Sequence, residues 1–181
     1  QRLCNYMDHT SKLRIYESFI SSNFVYCAIV YNTFTVGQDR KLEKLNERAI
    51  RLVCNDYESL YSDLLSKTGK RMLYVIRKIT LGEFVYKTLH NLSPPVESRF
   101  FMRQITGYNM RDKSKLVKPP YNTIKYGMKS IAYQGASVWN DLPVQIKEVD
   151  EYANFRQLLR NSNYWNNCQC GSCIFCIQNN L

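Results

Sequence analysis

Four cysteines lie close together near the carboxyl end of the sequence and could bind a metal ion. Cys168, Cys170, Cys173 and Cys176 fall within nine residues, in the pattern C-x-C-x2-C-x2-C. Four thiolates suit Zn²⁺, which accepts sulfur ligands tetrahedrally and requires no redox chemistry. Usual zinc modules separate their two ligand pairs by about a dozen residues or more. This cluster would have to fold tightly, take a ligand from elsewhere or bind zinc as a dimer, and a reactive thiol tail without metal is the alternative.

Basic side chains are the second group that could perform a recognisable function. Lys and Arg total 25 against 15 Asp and Glu, which gives a formal net charge of +10. The region from Arg99 to Lys129 contains eight basic residues and one acid, Asp112, whereas residues 161–181 carry no charge. This distribution favours nucleic acid as the partner, ahead of an acidic membrane surface. The alternative is that the positive charge only keeps the protein soluble.

Two segments contain the cations that we expect to contact nucleic acid. In the first, residues 39–53, cations recur at helical spacing and form a stripe beside an apolar face. The second segment lies within the basic region after Arg99, between turn-forming residues. The candidate contacts are Lys41, Lys44, Arg48 and Arg51 in the first segment and Arg111, Lys113, Lys115, Lys118 and Lys125 in the second.

Patterns that would indicate catalysis are missing from the sequence. Its two histidines, His9 and His90, form no Ser-His-Asp, Cys-His or zinc-protease pattern with other residues. Glycine-rich phosphate loops and adjacent aspartate pairs for two-metal phosphoryl transfer are also missing. We therefore predict a chain without catalytic residues and without a catalytic cofactor, in which His90 has a structural role.

Length and composition predict a globular chain of one domain, or of one domain with a short appendix. Of the 181 residues 45% are hydrophobic, which is enough to form a core. The longest apolar run, Phe24–Tyr31, is far shorter than the roughly 20 residues of a membrane helix. No hydrophobic signal segment opens the chain, so we expect an intracellular protein, in the nucleus or cytoplasm, with Cys4, Cys27 and Cys54 as reduced core residues. Because an initiator Met is missing, we expect the chain to be a piece of a longer protein.

Helical periodicity dominates the first half of the chain. The predicted helices span Ser11–Tyr31, Asp39–Val53, Tyr57–Ser66 and Arg71–Leu92. Asp39 is the expected N-cap of the second helix, Gly69 is expected to end the third, and Pro94-Pro95 stops the fourth. The second helix is expected to turn one apolar face to the core, formed by Leu42, Leu45, Ala49 and Leu52.

After Pro95 the pattern changes, because turn formers separate short runs of β-forming residues. We expect residues 99–135 to be extended, with one or two short strands such as Ile131–Tyr133, followed by short helices at Val144–Glu148 and after Asp150. Trp139 and Leu142 should anchor residues 99–149 on the bundle. The predicted fold is mainly α, a helical bundle followed by a basic extended segment with short strands, a small helical closure and a Cys-rich tail. The predicted divisions are residues 1–95, 96–160 and 161–181.

Several residue runs, in this order, resemble the region that follows the polymerase palm in reverse transcriptases of non-LTR (LINE-like) retrotransposons, nearest the jockey and chicken-repeat groups. The runs are Leu13–Cys27, Lys44–Arg51, Tyr61–Leu65, Tyr108–Arg111, Tyr126-Gly127, Gly135–Pro143 and Phe155–Leu159. With the terminal cysteines, the resemblance covers residues 10–176.

The resemblance implies the thumb and C-terminal region of an RNA-directed DNA polymerase. In that family the catalytic carboxylates lie upstream, in a Phe/Tyr-x-Asp-Asp motif that this chain does not contain, so no catalytic residue is carried over. The implied role is to grip RNA or an RNA–DNA duplex while packing on the upstream polymerase palm of the same polyprotein. Without the palm, some apolar surface should be left uncovered.

Two other hypotheses remain open from the sequence. The chain could be a domesticated, zinc-dependent nucleic-acid-binding or adaptor module with no polymerase role. It could also be an unstable pseudogene product without activity.

Overall fold

A computed structural model describes residues 6–33, 35–104 and 114–161, and these residues are mainly helical. Its eight α-helices are α1 (His9–Ile15), α2 (Ser22–Val25), α3 (Val36–Cys54), α4 (Tyr61–Thr68), α5 (Leu73–Leu89), α6 (Ile131–Asp141), α7 (Val144–Lys147) and α8 (Tyr152–Asn161). Two segments are wound as π-helix, Tyr16–Ser21 and Ile124–Met128, and two are 3₁₀ turns, Val30–Thr33 and Pro95–Phe100. The predicted mainly α class is confirmed.

The extended segment contains less β-structure than the sequence predicts. Across the described residues there is no strand, and the only pairing is one antiparallel bridge between Arg103 and Leu116. The predicted strand at Ile131–Tyr133 is wrong, because these residues form the first turn of α6. Ser130 caps that turn, since its hydroxyl accepts a hydrogen bond from the Tyr133 N–H at 3.3 Å. A capped helix start therefore overrides the β-propensity of three residues.

The described residues form two compact units. The first comprises residues 6–28 and 35–76, and the second comprises residues 29–33, 77–104 and 114–161. The division falls within α5, between Ile76 and Arg77. The predicted organisation into residues 1–95, 96–160 and 161–181 stays a prediction, and residues 162–181 of the Cys-rich tail lie outside the described residues.

The start of α3 differs from the prediction. Thr35, and not Asp39, is the N-cap. The Gln38 N–H donates to the Thr35 hydroxyl at 3.4 Å, and the Thr35 N–H donates to Gln38 Oε1 at 2.9 Å. This reciprocal capping box satisfies two amide groups that would otherwise have no partner, so the helix begins ahead of Asp39. At the other end, Asn55 adopts a left-handed conformation with φ 51°.

The helix predicted over Ser11–Tyr31 ends early. Regular helix stops at Val25, and Cys27 has a left-handed φ of 55° that turns the chain. Cys27 is exposed, so its prediction as a core residue is wrong. Cys54 is half-buried and packs against the core of the first unit, whereas Cys4 lies outside the described residues.

Each unit has its own apolar core. In the first unit, α3 and α4 pack with the π-helical turn through Tyr16, Ala49, Ile50, Val53, Leu64 and Leu65. In the second unit the Phe155 ring stacks on Tyr86 at 4.1 Å between centroids and lies 6.1 Å from the Trp139 ring. None of the helices in the described parts of the chain has the combination of length and apolar composition that crossing a membrane requires.

Trp139 and Asn140 hold residues 114–116 against α6, whereas the predicted anchoring of residues 99–149 on the bundle stays a prediction. The Trp139 side chain is buried, and its indole N–H donates to the Ser114 carbonyl at 2.9 Å. Asn140 accepts from the Leu116 N–H at 2.8 Å and donates to the Leu116 carbonyl at 2.9 Å, which completes the backbone pairing of that residue. Leu142 is also buried.

Candidate nucleic-acid interface

A buried polar network fixes how α3 is rotated about its axis. Asn46 is fully buried; it accepts from the Tyr16 hydroxyl at 2.6 Å and donates to the Tyr61 hydroxyl oxygen at 2.8 Å. The Tyr61 hydroxyl in turn donates to Glu43 Oε1 at 2.7 Å. The other carboxylate oxygen of Glu43 accepts from the Leu73 N–H, at the start of α5, at 3.1 Å. Four side chains therefore satisfy one another inside the first unit.

This network corrects the predicted apolar face of α3. Leu45, expected in the core, is 51% exposed, while Leu42 and Leu52 are half-buried. Exposing one leucine forgoes about 1.5–3 kcal/mol of burial free energy. Breaking the network would leave several buried polar groups without partners, at about 1–3 kcal/mol each. Leaving these buried polar groups without partners would cost more free energy than exposing one leucine does. The helix therefore buries the face that contains Glu43 and Asn46.

The same rotation turns the cations of α3 to solvent. Lys41, Lys44 and Arg48, all predicted contacts, are exposed, and so is Arg40. With 3.6 residues per turn, these four side chains lie within about 100° of the helix circumference. The sequence prediction omitted Arg40, although its spacing of four residues from Lys44 was a visible signal.

The acidic residues of α3 are buried, half-buried or paired with a cation. Glu43 is buried in the network, and Asp39 is half-buried. Glu47 accepts from Arg51 Nη2 at 2.8 Å, and Arg51 Nη1 also donates to the Ser59 carbonyl at 3.0 Å. Arg51 is therefore held by partners within the first unit, whereas Arg40, Lys41, Lys44 and Arg48 present a face of one charge sign. We call these four residues the α3 cation face.

The loop after α3 is fixed by Asp56. Its carboxylate accepts from the Ser59 N–H at 3.0 Å, from the Ser59 hydroxyl at 2.6 Å and from Lys67 Nζ at 3.2 Å. These bonds, chiefly those from Ser59, lower the pKa of Asp56 below its usual value. Because Arg51 donates to the same Ser59, the loop and the carboxyl end of α3 are held together.

The second predicted segment is described only in part. Lys115 is half-buried, and Lys118 is exposed with its ammonium nitrogen 5.8 Å from the centre of the Tyr133 ring. The remaining candidates lie outside what the structure describes; they are Arg111, Lys113, the side chain of Lys125 and the predicted zinc ligands Cys168, Cys170, Cys173 and Cys176.

The two histidines have structural surroundings. His90 follows α5 directly and stacks on Tyr86 at 4.0 Å between ring centroids. Burial, followed by the nearby charge of Arg103, lowers the pKa of His90. His9 Nδ1 lies 3.3 Å from the Val53 carbonyl oxygen. Within the described residues, no group of three or more His, Cys, Asp or Glu side chains could hold a metal ion.

Comparisons with known proteins identify no relative of the chain. No protein-family model matches it, and neither a curated protein nor a solved structure gives a significant match. Function is therefore inferred from the α3 cation face and from the residue runs that carry the resemblance.

Proposed function

We propose that this chain binds the phosphate backbone of nucleic acid through the α3 cation face, as the thumb and C-terminal region of a reverse transcriptase of the non-LTR retrotransposon type. It acts on RNA or on an RNA–DNA duplex beside the polymerase palm of the same polyprotein. The palm supplies the catalytic carboxylates, and this chain contributes none.

The observation that carries the proposal is the separation of charge on α3. Three acids share the helix with the cations, yet Glu43 is buried, Glu47 is paired with Arg51, and Asp39 is half-buried. Arg40 and Arg48 are about 12 Å apart along the helix axis, a length that corresponds to about three to four nucleotides of one strand. A rigid row of cations at this spacing suits successive phosphates, which position a protein on a strand without reading its sequence.

Two further features support the assignment to a thumb. The Lys44–Arg51 run, one of those that carry the resemblance, lies on α3 and contains two residues of the cation face. On the first unit, Ile15, Phe19 and Tyr26 are large apolar side chains exposed to solvent. Such surface favours packing against another protein body, which is the expected position of the palm.

The α3 cation face is tested by charge reversal and salt titration. Four phosphate contacts predict a slope of log affinity against log salt of about −3 to −4, and up to eight contacts would make it steeper. The double variant Lys44→Glu with Arg48→Glu is expected to lose at least about tenfold in affinity and to show a shallower slope. The measurement is fluorescence anisotropy with a labelled RNA–DNA duplex at about 50 to 200 mM salt.

A matched control distinguishes the effect of losing the α3 cation face from the effect of lowering the net charge. Arg14 and Arg99 are exposed and lie outside α3, and reversing both changes the net charge by the same amount. This control should bind nearly as well as the unmodified chain. If the two double variants lose equal affinity, or if binding is independent of salt, α3 is not the binding face.

The polymerase assignment has a separate test in the genome. An open reading frame that continues upstream in frame and encodes the Asp-Asp motif is expected. An independent start codon with its own control region would instead favour the adaptor module, and nucleic-acid binding through α3 would then serve another role.

A further inference from the structure

Around the second π-helical turn, Ile124–Met128, the second unit carries an exposed aromatic surface that the proposed function does not use. Tyr121 and Tyr126 are 43% and 72% exposed, and Ile124 between them is 70% exposed. The Tyr121 ring meets the Tyr133 ring edge to face at 5.1 Å between centroids, with an angle of 81° between the planes. Lys118 Nζ lies 5.8 Å from the centre of the Tyr133 ring. We call Lys118, Tyr121, Tyr126 and Tyr133 the tyrosine platform.

The platform is held in place by close backbone packing. A Cβ atom on Gly127 would lie 2.5 Å from Tyr121 Cβ, so only glycine permits this approach. Below it, the Gly127 and Met128 N–H groups donate to the Thr123 carbonyl at 2.9 and 3.2 Å. The Gln134 side chain donates to the Met128 carbonyl at 2.8 Å, which ties the turn to α6. Because Tyr126 precedes Gly127 directly, the same packing holds the Tyr126 backbone close to Tyr121.

Charge complementarity selects the occupant of this surface. Between Ser114 and Asn140 the sequence contains four lysines and no acid. The occupant should therefore be anionic and should also offer flat apolar faces to tyrosine rings. Unpaired nucleotides meet both requirements, because every base has a π-face and every linkage carries a negative charge. In a duplex the bases stack on one another, so the faces that the platform needs are covered.

We propose that the tyrosine platform stacks the unpaired bases of single-stranded nucleic acid, with Lys118 against the adjoining phosphate. This inference rests on the proposed function, because it assigns a second contact to the same nucleic-acid-binding chain. It divides the work between the units: the α3 cation face binds phosphates of any strand, and the platform binds only where bases are unpaired.

The test compares a short labelled oligothymidylate with an oligomer of equal length in which every base is absent. Tyr126→Leu keeps an apolar side chain but removes the ring, so its affinity for oligothymidylate should fall by about fivefold or more. Its affinity for the abasic oligomer should not change. Tyr126→Phe keeps the ring and should restore binding. Tyr26→Leu is the matched control, because Tyr26 is 74% exposed and lies in the first unit.

Different results separate this inference from the proposed function. If the unmodified chain binds both oligomers equally, the platform does not stack bases, but phosphate binding by α3 still stands. If Tyr126→Leu and Tyr26→Leu lose equal affinity, the stacking site is wrongly placed. If neither oligomer binds and vesicles containing phosphatidylserine do, both proposals fail, and the platform is a lipid-binding surface.

Discussion

Tyr61 is the residue on which the first unit's polar network converges. Its hydroxyl oxygen accepts from Asn46, and its proton is donated to Glu43. Burial, and then the charge of Glu43, raise the pKa of Tyr61 well above its usual value. Burial also raises the pKa of Tyr16, which bonds the same Asn46. Both tyrosines therefore fold as neutral donors.

Alkaline pH should weaken the fold through this residue. In the unfolded chain Tyr61 loses its proton near pH 10, whereas the folded chain keeps it. Above about pH 10 the unfolded state binds fewer protons, so the free energy of unfolding falls by up to about 1.4 kcal/mol per pH unit for this group. The contribution of Tyr61 to stability is fully present below that pH. The measurement is urea unfolding between about pH 8 and 11.

Two variants test whether Tyr61 causes the loss of stability at alkaline pH. Tyr61→Phe should lower the stability at neutral pH, because Glu43 and Asn46 lose a partner, and should make the alkaline decline shallower. Tyr57→Phe is the control, since Tyr57 is exposed, and its decline should match that of the unmodified chain. Equal declines in all three proteins would contradict an alkaline effect through Tyr61.

Trp139 should be essential for stability and not for nucleic-acid contact. Its side chain is buried beside Phe155, and its indole N–H bonds the Ser114 carbonyl. Trp139→Ala should cost about 3–5 kcal/mol in the free energy of unfolding. The measurement is the midpoint of urea unfolding. A Trp139→Ala protein that is fully stable but binds nucleic acid poorly would reverse the assignment.

Buried apolar residues can be predicted from the sequence more readily than buried polar residues. Trp139 is large, apolar and flanked by Val138 and Leu142, so burial is the expected outcome for each of them. Asn46 is polar, and nothing near it in the sequence indicates that Tyr16 and Tyr61, 30 positions before and 15 after, will bond it. Buried polar partners depend on long-range packing, which periodicity does not report.

At the level of elements, the existence of α3 could be predicted but its orientation could not. Its apolar residues fall on more than one side, and counting leucines selects the face with Leu42, Leu45 and Leu52. The buried face instead contains two polar residues, Glu43 and Asn46. Their hydrogen-bond partners lie on α4, on the π-helical turn Tyr16–Ser21 and at the start of α5. Three of the four cations, Lys41, Lys44 and Arg48, were nevertheless predicted to be exposed, because the exposed surface of α3 is wide.

Paired substitutions on α3 test this orientation. Leu45→Lys replaces a side chain that is half exposed, so the free energy of unfolding should change by less than about 0.5 kcal/mol. Ile50→Ala empties a fully buried site and should cost about 2–5 kcal/mol. Thermal or urea unfolding of the two variants decides the matter. The reverse order of stabilities would mean that the leucine face is the buried one.

At the scale of the whole molecule, the charge distribution predicts a class of partner, which the helical fold alone does not do. A net charge of +10 favours a polyanionic partner. Composition does not show which cations are engaged internally, as Arg51 is, and which are exposed, as Arg40 is. Composition also does not reveal the tyrosine platform, because the close approach of Tyr121 to Gly127 depends on the backbone conformation of the π-helical turn Ile124–Met128.

Zinc binding by the four clustered cysteines, Cys168, Cys170, Cys173 and Cys176, can be tested directly. If they hold Zn²⁺, one ion should co-purify and should be released by a chelator or by acid, because thiolates must be deprotonated to act as ligands. The described helices end at Asn161, before the first of these cysteines, so circular dichroism should detect no loss of helix when the metal leaves.

Alkylation rates distinguish a zinc site from a free thiol tail, provided that the other thiols are taken into account. Cys27 is exposed and should react quickly in either state, whereas burial raises the pKa of the Cys54 thiol and should slow its reaction. In a variant with both Cys4 and Cys27 replaced by serine, removing zinc should therefore add four fast-reacting thiols, one for each clustered cysteine. Replacing Cys173 and Cys176 with serine should abolish both the metal and this difference. If the four thiols react quickly even with zinc present, the cluster binds no metal, and its cysteines serve as free thiols.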